Sequence, residues 1–197
     1  MQPLTIIFAG PQGSGKGTQV ELLKAYVEKH DPARKVVYFE AGQVLREFSK
    51  GESDVQKQVK QIVDSGQLVP GFITGYLMTQ FMFDSMKGDE HLFIDGFPRE
   101  QAQLMMFDTA IHFYKRAKPT LLHINISDEE ALTRLLKRAR KDDTEEGIRN
   151  RLAWNRTQTG KVMEWFRANP DYRVVEVNGE QTIEAVHADI LKALTLA

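Results

Sequence analysis

Five short apolar runs, rich in β-branched residues, punctuate the chain: Leu4–Ala9, Lys35–Phe39, His91–Asp95, Thr120–Ile126 and Tyr172–Val177. Each is continuous rather than alternating, the pattern of strands covered on both faces. Helical spacing fills the intervals. Val20, Leu23 and Val27 share a face after the first run; Ala131, Leu132, Leu135, Leu136 and Ala139 share one after the fourth. Ser127 with Glu130, and Asp143 with Glu146, have the capping-box spacing that starts a helix. Strands alternating with helices predict an α/β fold: a doubly wound, five-stranded parallel sheet with helices on both faces. About fifty residues separate the second and third runs, too many for one crossover helix. This stretch, broken by Gly51, Gly66 and Pro70, predicts several helices, part of them folded as a small lobe.

Composition narrows the functional classes. The chain has 197 residues, enough for one domain over 1–197 with an inserted lobe. Twenty-six Lys and Arg against 27 Asp and Glu give a net charge of −1, which argues against a nucleic-acid coat or a polybasic membrane binder. The absence of cysteine excludes disulfides, thiolate zinc sites, iron–sulfur clusters and a cysteine nucleophile. His30, His91, His112, His123 and His187 show no metal-ligand spacing. The opening MQPLTIIFAG lacks a basic leader, and no run approaches the roughly 20 apolar residues of a membrane span. The expectation is a cytoplasmic protein whose partners are small molecules, neither nucleic acid nor membrane.

The first run leads directly into Gly10-Pro11-Gln12-Gly13-Ser14-Gly15-Lys16-Gly17-Thr18. Glycines between a strand and a helix let the backbone fold around an oxyanion, so that successive N–H groups form an anion nest. The helix beginning near Lys16 adds the positive end of its dipole, and Lys16 adds a full charge for terminal phosphates. The third run ends in Asp95, an acid at the carboxyl end of a strand and so placed to hold magnesium or its waters. Arg134 and Arg138, spaced i, i+4, share a helix face, and Arg140, Asp142, Asp143, Arg149 and Arg151 follow. Asp143 either orients these arginines or caps the next helix.

The phosphate loop departs from the common pattern, which puts Ser or Thr directly after the lysine; here Gly17 stands there and Thr18 follows. This GKGT variant, within GPQGSGKGTQ, resembles the opening of adenylate kinases and their nucleoside monophosphate kinase relatives. Asp95-Gly96-Phe97-Pro98-Arg99 is similar to a second signature of that family. Gly42-Gln43-Val44-Leu45-Arg46 and Gly66-Gln67-Leu68-Val69-Pro70 resemble the two borders of its monophosphate-binding lobe, here 41–70.

The resemblance implies reversible transfer of the terminal phosphoryl of MgATP to AMP, giving two ADP. It implies ATP at Gly13, Ser14, Gly15, Lys16, Gly17, Thr18, Arg134, Arg138 and Gln181, the last in an Asn178-Gly179 loop that also reads as an ordinary turn. It implies AMP at Ala41, Arg46, Gln67, Leu68, Val69, Gly96, Phe97, Pro98, Arg99, Gln103, Arg140 and Arg151. Planar guanidinium groups at Arg46 and Arg99 suit bidentate grip of the acceptor phosphate, and the Gln103 amide can pair with the adenine edge. Lys16, Arg99, Arg138, Arg140 and Arg151 would carry catalysis by neutralising charge on the migrating phosphoryl. Mg2+, bound through water at Asp95, is the implied cofactor, and no zinc.

Three departures qualify this picture. Ala41 replaces the usual threonine at the acceptor base and matches pyrimidine-directed UMP/CMP kinases, whereas Gln103 favours AMP. Gln43 stands where an acid is usual. The lid is nearly absent, reduced to 138–143, with only Ala139 between Arg138 and Arg140. A lid excludes water, so a lidless form is expected to close chiefly with its monophosphate lobe. It would be monomeric by default, or oligomeric if a partner replaces the lid, with ATP hydrolysis as the risk. UMP/CMP kinase and a catalytically weak nucleotide-binding regulator remain the alternatives.

Overall fold

The computed structural model describes residues 1–65, 67–138 and 144–196. The chain runs β1 (Thr5–Ala9), α1 (Lys16–His30), β2 (Val36–Glu40), α2 (Ala41–Phe48), α3 (Asp54–Asp64), α4 (Gly71–Ser85), β3 (His91–Asp95), α5 (Gln101–Phe113), β4 (Thr120–Asn125), α6 (Asp128–Arg138), α7 (Glu145–Ala168), β5 (Arg173–Asn178) and α8 (Ile183–Ala193). Every apolar run becomes a strand, and the five strands form one parallel sheet in the order β2-β3-β1-β4-β5. The chain moves from β1 to one side of the sheet and later to the other, so a topological switch point lies at the carboxyl end of β1, where open α/β sheets bind ligands.

The three inner strands β3, β1 and β4 bury both faces, which is why their runs are continuous, whereas the edge strand β5 buries Val175 and Val177 on one face and exposes Arg173 and Glu176. Ile7, Leu92, Ile94 and Leu121 pack with Met78, Leu104, Phe107 and Phe166 of α4, α5 and α7. Ile6, Phe8, Phe93 and Leu122 pack with Val20, Leu23, Val186 and Ile190 of α1 and α8. The inserted stretch has its own small cluster: Val59, Val69 and Ile73, flanked by Leu45, Phe48 and Ile62. Ser53 opens α3 with a capping box completed by Gln56. Among the described residues, no helix is long and apolar enough to cross a membrane.

Two helix starts differ from the sequence expectation. Ser127 accepts from the Glu130 N–H, but its own N–H donates to Glu180 Oε1 rather than to Glu130. The second box is displaced: the cap of α7 is Thr144, whose hydroxyl accepts from the Gly147 N–H at 3.2 Å. Asp143 lies outside the described residues.

A polar network closes the amino ends of the strands. The buried Arg116 guanidinium donates to Thr5 Oγ1 and to the carbonyls of Leu4, Glu90 and Gly88. Glu90 accepts from the N–H groups of Lys87 and Gly88. Burial alone would raise its carboxyl, but these donors and Arg116 hold it below the usual range. His91, fully buried, accepts the Leu4 N–H at Nδ1 and turns Nε2 toward Asp31 at 3.3 Å.

Candidate active site

The site sits at the carboxyl ends of β1, β2 and β3. Beyond β1 the backbone turns at Gly10, with φ +134°, where an added Cβ would lie 2.3 Å from the Ile124 carbonyl oxygen. No side chain fits there, so the loop can pass tightly over β4 before starting α1. Helix α1 has no side-chain cap and no acid in its first turn, so its N-terminal N–H groups are left for an anion. Lys16 folds back across the loop, its Nζ donating to the carbonyls of Gly10 and Pro11, both at 2.9 Å. Burial lowers the proton affinity of Lys16; Asp95 opposes this, while Arg99 and Arg138 add to it.

Asp95 ends β3. Burial raises its carboxyl above the usual range, against the pull of Lys16 and Arg99 and with the push of Glu40. The next residue, Gly96, has φ +78°, and an added Cβ would come within 2.8 Å of the Arg99 guanidinium. This turn seats Arg99: its Nε donates to the Gly96 carbonyl, and its backbone N–H donates to Gln103 Oε1, both at 2.8 Å. Gln103 is buried at the start of α5.

A cleft of about 850 Å³ opens from this point toward α2, α3 and the start of α7. Ala41, Arg46, Gln67, Leu68 and Val69 line one side of it; Gly96, Arg99, Gln103 and Arg151 line the other. Arg46 is exposed and paired with Glu40 at 3.2 Å. A smaller recess of about 50 Å³ adjoins it, bordered by Lys16, Phe97 and Pro98. Gln12, Gly96, Arg99 and Asn155 border both spaces and mark their junction. Gln12 Oε1 is buried there without a hydrogen-bond partner.

Gly13, Ser14, Gly15, Gly17, Thr18, Arg134, Arg138 and Gln181 lie outside the larger cleft, on the side of α1 and α6. Arg134 spans this side. Its Nη2 donates to the Gly179 carbonyl at 2.9 Å, its Nη1 reaches the Gly13 carbonyl at 3.5 Å, and Glu130 accepts from its Nε. The phosphate loop is thereby fastened to the Asn178–Gln181 loop, where Gln181 donates to the Asn178 carbonyl and to Asp189. Arg138 ends α6, exposed but close enough to act on Lys16. Arg151, on α7, donates to the Gly147 carbonyl at 3.2 Å. Arg140 and Asp142 fall outside the described residues, as does most of the short 138–143 segment.

Sequence reasoning missed Gln12, Thr74, Asn150 and Asn155 as cleft residues. Asn155 had a usable signal, since it stands one helical turn from Arg151. Gln12 lay within the phosphate loop itself, where only its backbone was considered.

The arrangement suits polyanions. Arg99 and Arg138 lie near enough to Lys16 to add to the effect of its burial, and Asp95 is a carboxylate that opposes it at both Lys16 and Arg99. Among the described residues, no group of three His, Asp or Glu stands together as a metal cage. One buried carboxylate beside a phosphate loop fits magnesium, which keeps most of its waters and takes its remaining ligands from phosphates.

The family profile described as adenylate kinase matches residues 8–170. The adenylate kinase of Bacteroides fragilis is 33% identical over 195 residues, covering 97% of this chain and 98% of that protein. That of Bacteroides thetaiotaomicron is 32% identical over the same length, with the same coverage. Adenylate kinase 1 of a Nostoc species is 29% identical over 189 residues, covering 96% of this chain and 97% of its own.

Proposed function

The chain belongs to the adenylate kinase family, and on that premise we propose how its residues divide the reversible transfer of a phosphoryl group from MgATP to AMP, giving two ADP. Transfer between two bound nucleotides needs no covalent protein intermediate; catalysis is in-line positioning and neutralisation of charge. The observation that best supports this reading is the junction bordered by Arg99, Gln12 and Asn155, where the phosphate-loop recess meets the larger cleft.

The loop Gly13–Thr18 holds the donor phosphates by its N–H groups and the α1 dipole. Lys16 leaves the loop carbonyls for the phosphates, and the arriving anion offsets the burial and like charge that now depress it. Asp95 would hold a magnesium ion through its waters, and such an ion would screen the donor phosphates. Arg46 and Arg99 hold the acceptor phosphate from opposite sides. Ala41, Gln67, Leu68, Val69, Gly96, Phe97 and Pro98 wall the acceptor. Gln103 has its oxygen drawn to Arg99 and keeps its amide hydrogens for a ring nitrogen of the acceptor base. Arg138, Arg140 and Arg151 stabilise the migrating group, while Arg134 and Gln181 belong to the donor-base side. Segment 41–70 is the closing monophosphate lobe. Residues 138–143 are too few for a folded lid, so the donor side depends on these arginines. The reading extends to a cytoplasmic enzyme acting on free nucleotides.

A coupled ADP-formation assay tests it, with MgATP against AMP, CMP, UMP, dTMP and GMP and a control lacking acceptor. Strong AMP preference is expected. CMP or UMP preference would make Ala41 the specificity determinant. Rates equal to the control across the panel would leave only hydrolysis or a regulatory role.

A further inference from the structure

One polar group in the site is buried and unanswered. Gln12 Oε1 has no hydrogen-bond partner among the described residues, and Gln12 borders both the larger cleft and the recess beside Lys16. Buried side-chain oxygens are nearly always paired, so an unpaired one calls for a physical reason. The surrounding loop does not supply the missing donor. Lys16 Nζ is committed to the Gly10 and Pro11 carbonyls, with Ser14 Oγ at 3.5 Å. The Pro11 carbonyl also accepts from the Ser14 N–H at 3.2 Å, and the Gly13 carbonyl faces Arg134 at 3.5 Å. The backbone on either side of Gln12 is therefore held, which limits where its side chain can go.

The loop leaves this place to one side chain. Gly10, Gly13 and Gly15 all have positive φ, and a Cβ at Gly10 or Gly13 would crowd the backbone of Ile124 or Ala131. Pro11 has neither an N–H nor a polar side chain. Between Gly10 and Gly13, Gln12 alone can extend a polar side chain to the space where the donor recess meets the acceptor cleft.

A carboxamide has two needs: its oxygen takes hydrogens and its nitrogen gives them. The oxygens of an ionised phosphoryl accept only, so an arriving phosphoryl can be met by Nε2 but leaves Oε1 unsatisfied. A guanidinium donates only. Arg99 borders the same two spaces, and with its Nε committed to the Gly96 carbonyl its terminal nitrogens remain to donate elsewhere. A phosphoryl and a guanidinium drawn together into the junction would meet both ends of Gln12.

We propose that Gln12 is a further catalytic residue of the transfer assigned above, on whose reading this inference rests: its Nε2 donates to an equatorial oxygen of the migrating phosphoryl while its Oε1 takes a hydrogen from Arg99. The set is complete only when both nucleotides are in place, so the contact is strongest during transfer rather than with either nucleotide alone. That is the kind of interaction that raises kcat without tightening substrate binding. No covalent step is added, and Gln12 neither gains nor loses a proton.

Two variants and one binding measurement test this. Gln12→Met keeps the length of the side chain and removes both polar ends. Its turnover in the coupled assay should fall about 100-fold, with the KM for MgATP and for AMP within about threefold of wild type. Its melting temperature without nucleotide should be no lower than wild type, because an unmet buried oxygen is gone. Gln12→Glu keeps an acceptor for Arg99 but replaces the donor with a negative oxygen, and turnover should fall at least as far. Calorimetry with MgADP, AMP and aluminium fluoride, the fluoride complex standing for the migrating phosphoryl, gives a readout apart from turnover. Gln12→Met should bind this assembly about 100-fold more weakly, and MgADP alone within about threefold. Near-normal turnover of Gln12→Met overturns the proposal, as does a loss carried wholly by KM. Near-normal turnover of Gln12→Glu would reduce Gln12 to a seat for Arg99 and overturns it too. A wild-type enzyme that transfers to AMP yet is indifferent to these variants fails this inference alone; one that makes no ADP from AMP fails the kinase reading, and this inference with it.

Discussion

At the amino ends of the strands, Arg116 is buried with four acceptors from its own chain and faces Glu90, whose carboxylate is met by two backbone N–H groups. At the carboxyl ends, Lys16 and Arg99 gather beside Arg138, and Asp95 is the acid that answers them. Both edges shift the proton affinity of buried groups. The difference lies in what completes them. The amino edge is closed by opposite charge and backbone already present, whereas at the carboxyl edge Lys16 and Arg99 border open space. A perturbed ionisable group alone therefore does not mark a functional site. A perturbed group that also borders open space is the stronger candidate.

Substitution on both edges separates these roles. Lys16→Ala should give the largest effect, a loss of about 10³-fold or more in turnover by the coupled assay, with no loss in melting temperature because a buried charge has been removed. Near-normal turnover would break the comparison from the catalytic side. Arg116→Leu should do the reverse. It strands Glu90 and several carbonyls, and urea denaturation should register about 3 kcal/mol of destabilisation, with kcat unaltered in the folded enzyme.

Gln103→Ala stands between the two, since its oxygen seats Arg99 while the residue lines the cleft. The KM for AMP should rise by roughly 10–100-fold, while the KM for ATP stays within twofold; an equal rise in both would place Gln103 with the structural network. The smallest effect is a pH dependence. Burial holds His91 below the ordinary histidine range, against the pull of Asp31, and its Nδ1 is occupied by the Leu4 N–H. The folded state thus favours the neutral ring. As pH falls through about 6.5 the unfolded chain takes up the proton first, and stability drops toward the folded-state value. Melting temperature should decline between pH 7.5 and 5.5, and His91→Phe should show a shallower decline.

The carboxyl edge was far more legible in the sequence than the amino edge. The phosphate loop and the Asp95–Arg99 turn are contiguous segments whose glycines and charges announce a backbone shape. The strands were legible too, because burial on both faces leaves continuous apolar runs. Arg116 carries no such mark: its partners Thr5 and Leu4 lie more than 100 residues away in the chain, and nothing in its own neighbourhood distinguishes it from a surface arginine. The cap of α7 was misplaced by one residue because Asp143 and Thr144 are both good caps, and local spacing does not choose between them. The role of Glu180 at Ser127 depends on a contact across two strands and was invisible for the same reason.

The small cluster of Val59, Val69 and Ile73 is separate from the two clusters of the sheet. A region with so few apolar contacts of its own opens more readily than the body that carries it. On the role proposed for segment 41–70, swinging as a rigid flap is then only one way to release product; partial melting is another. Acceptor binding would in that case include a refolding step and carry a more negative heat capacity change than its contact area accounts for. Warming would loosen the acceptor before it loosens the donor, making the temperature dependence of the two affinities a direct gauge of how independently this lobe is built.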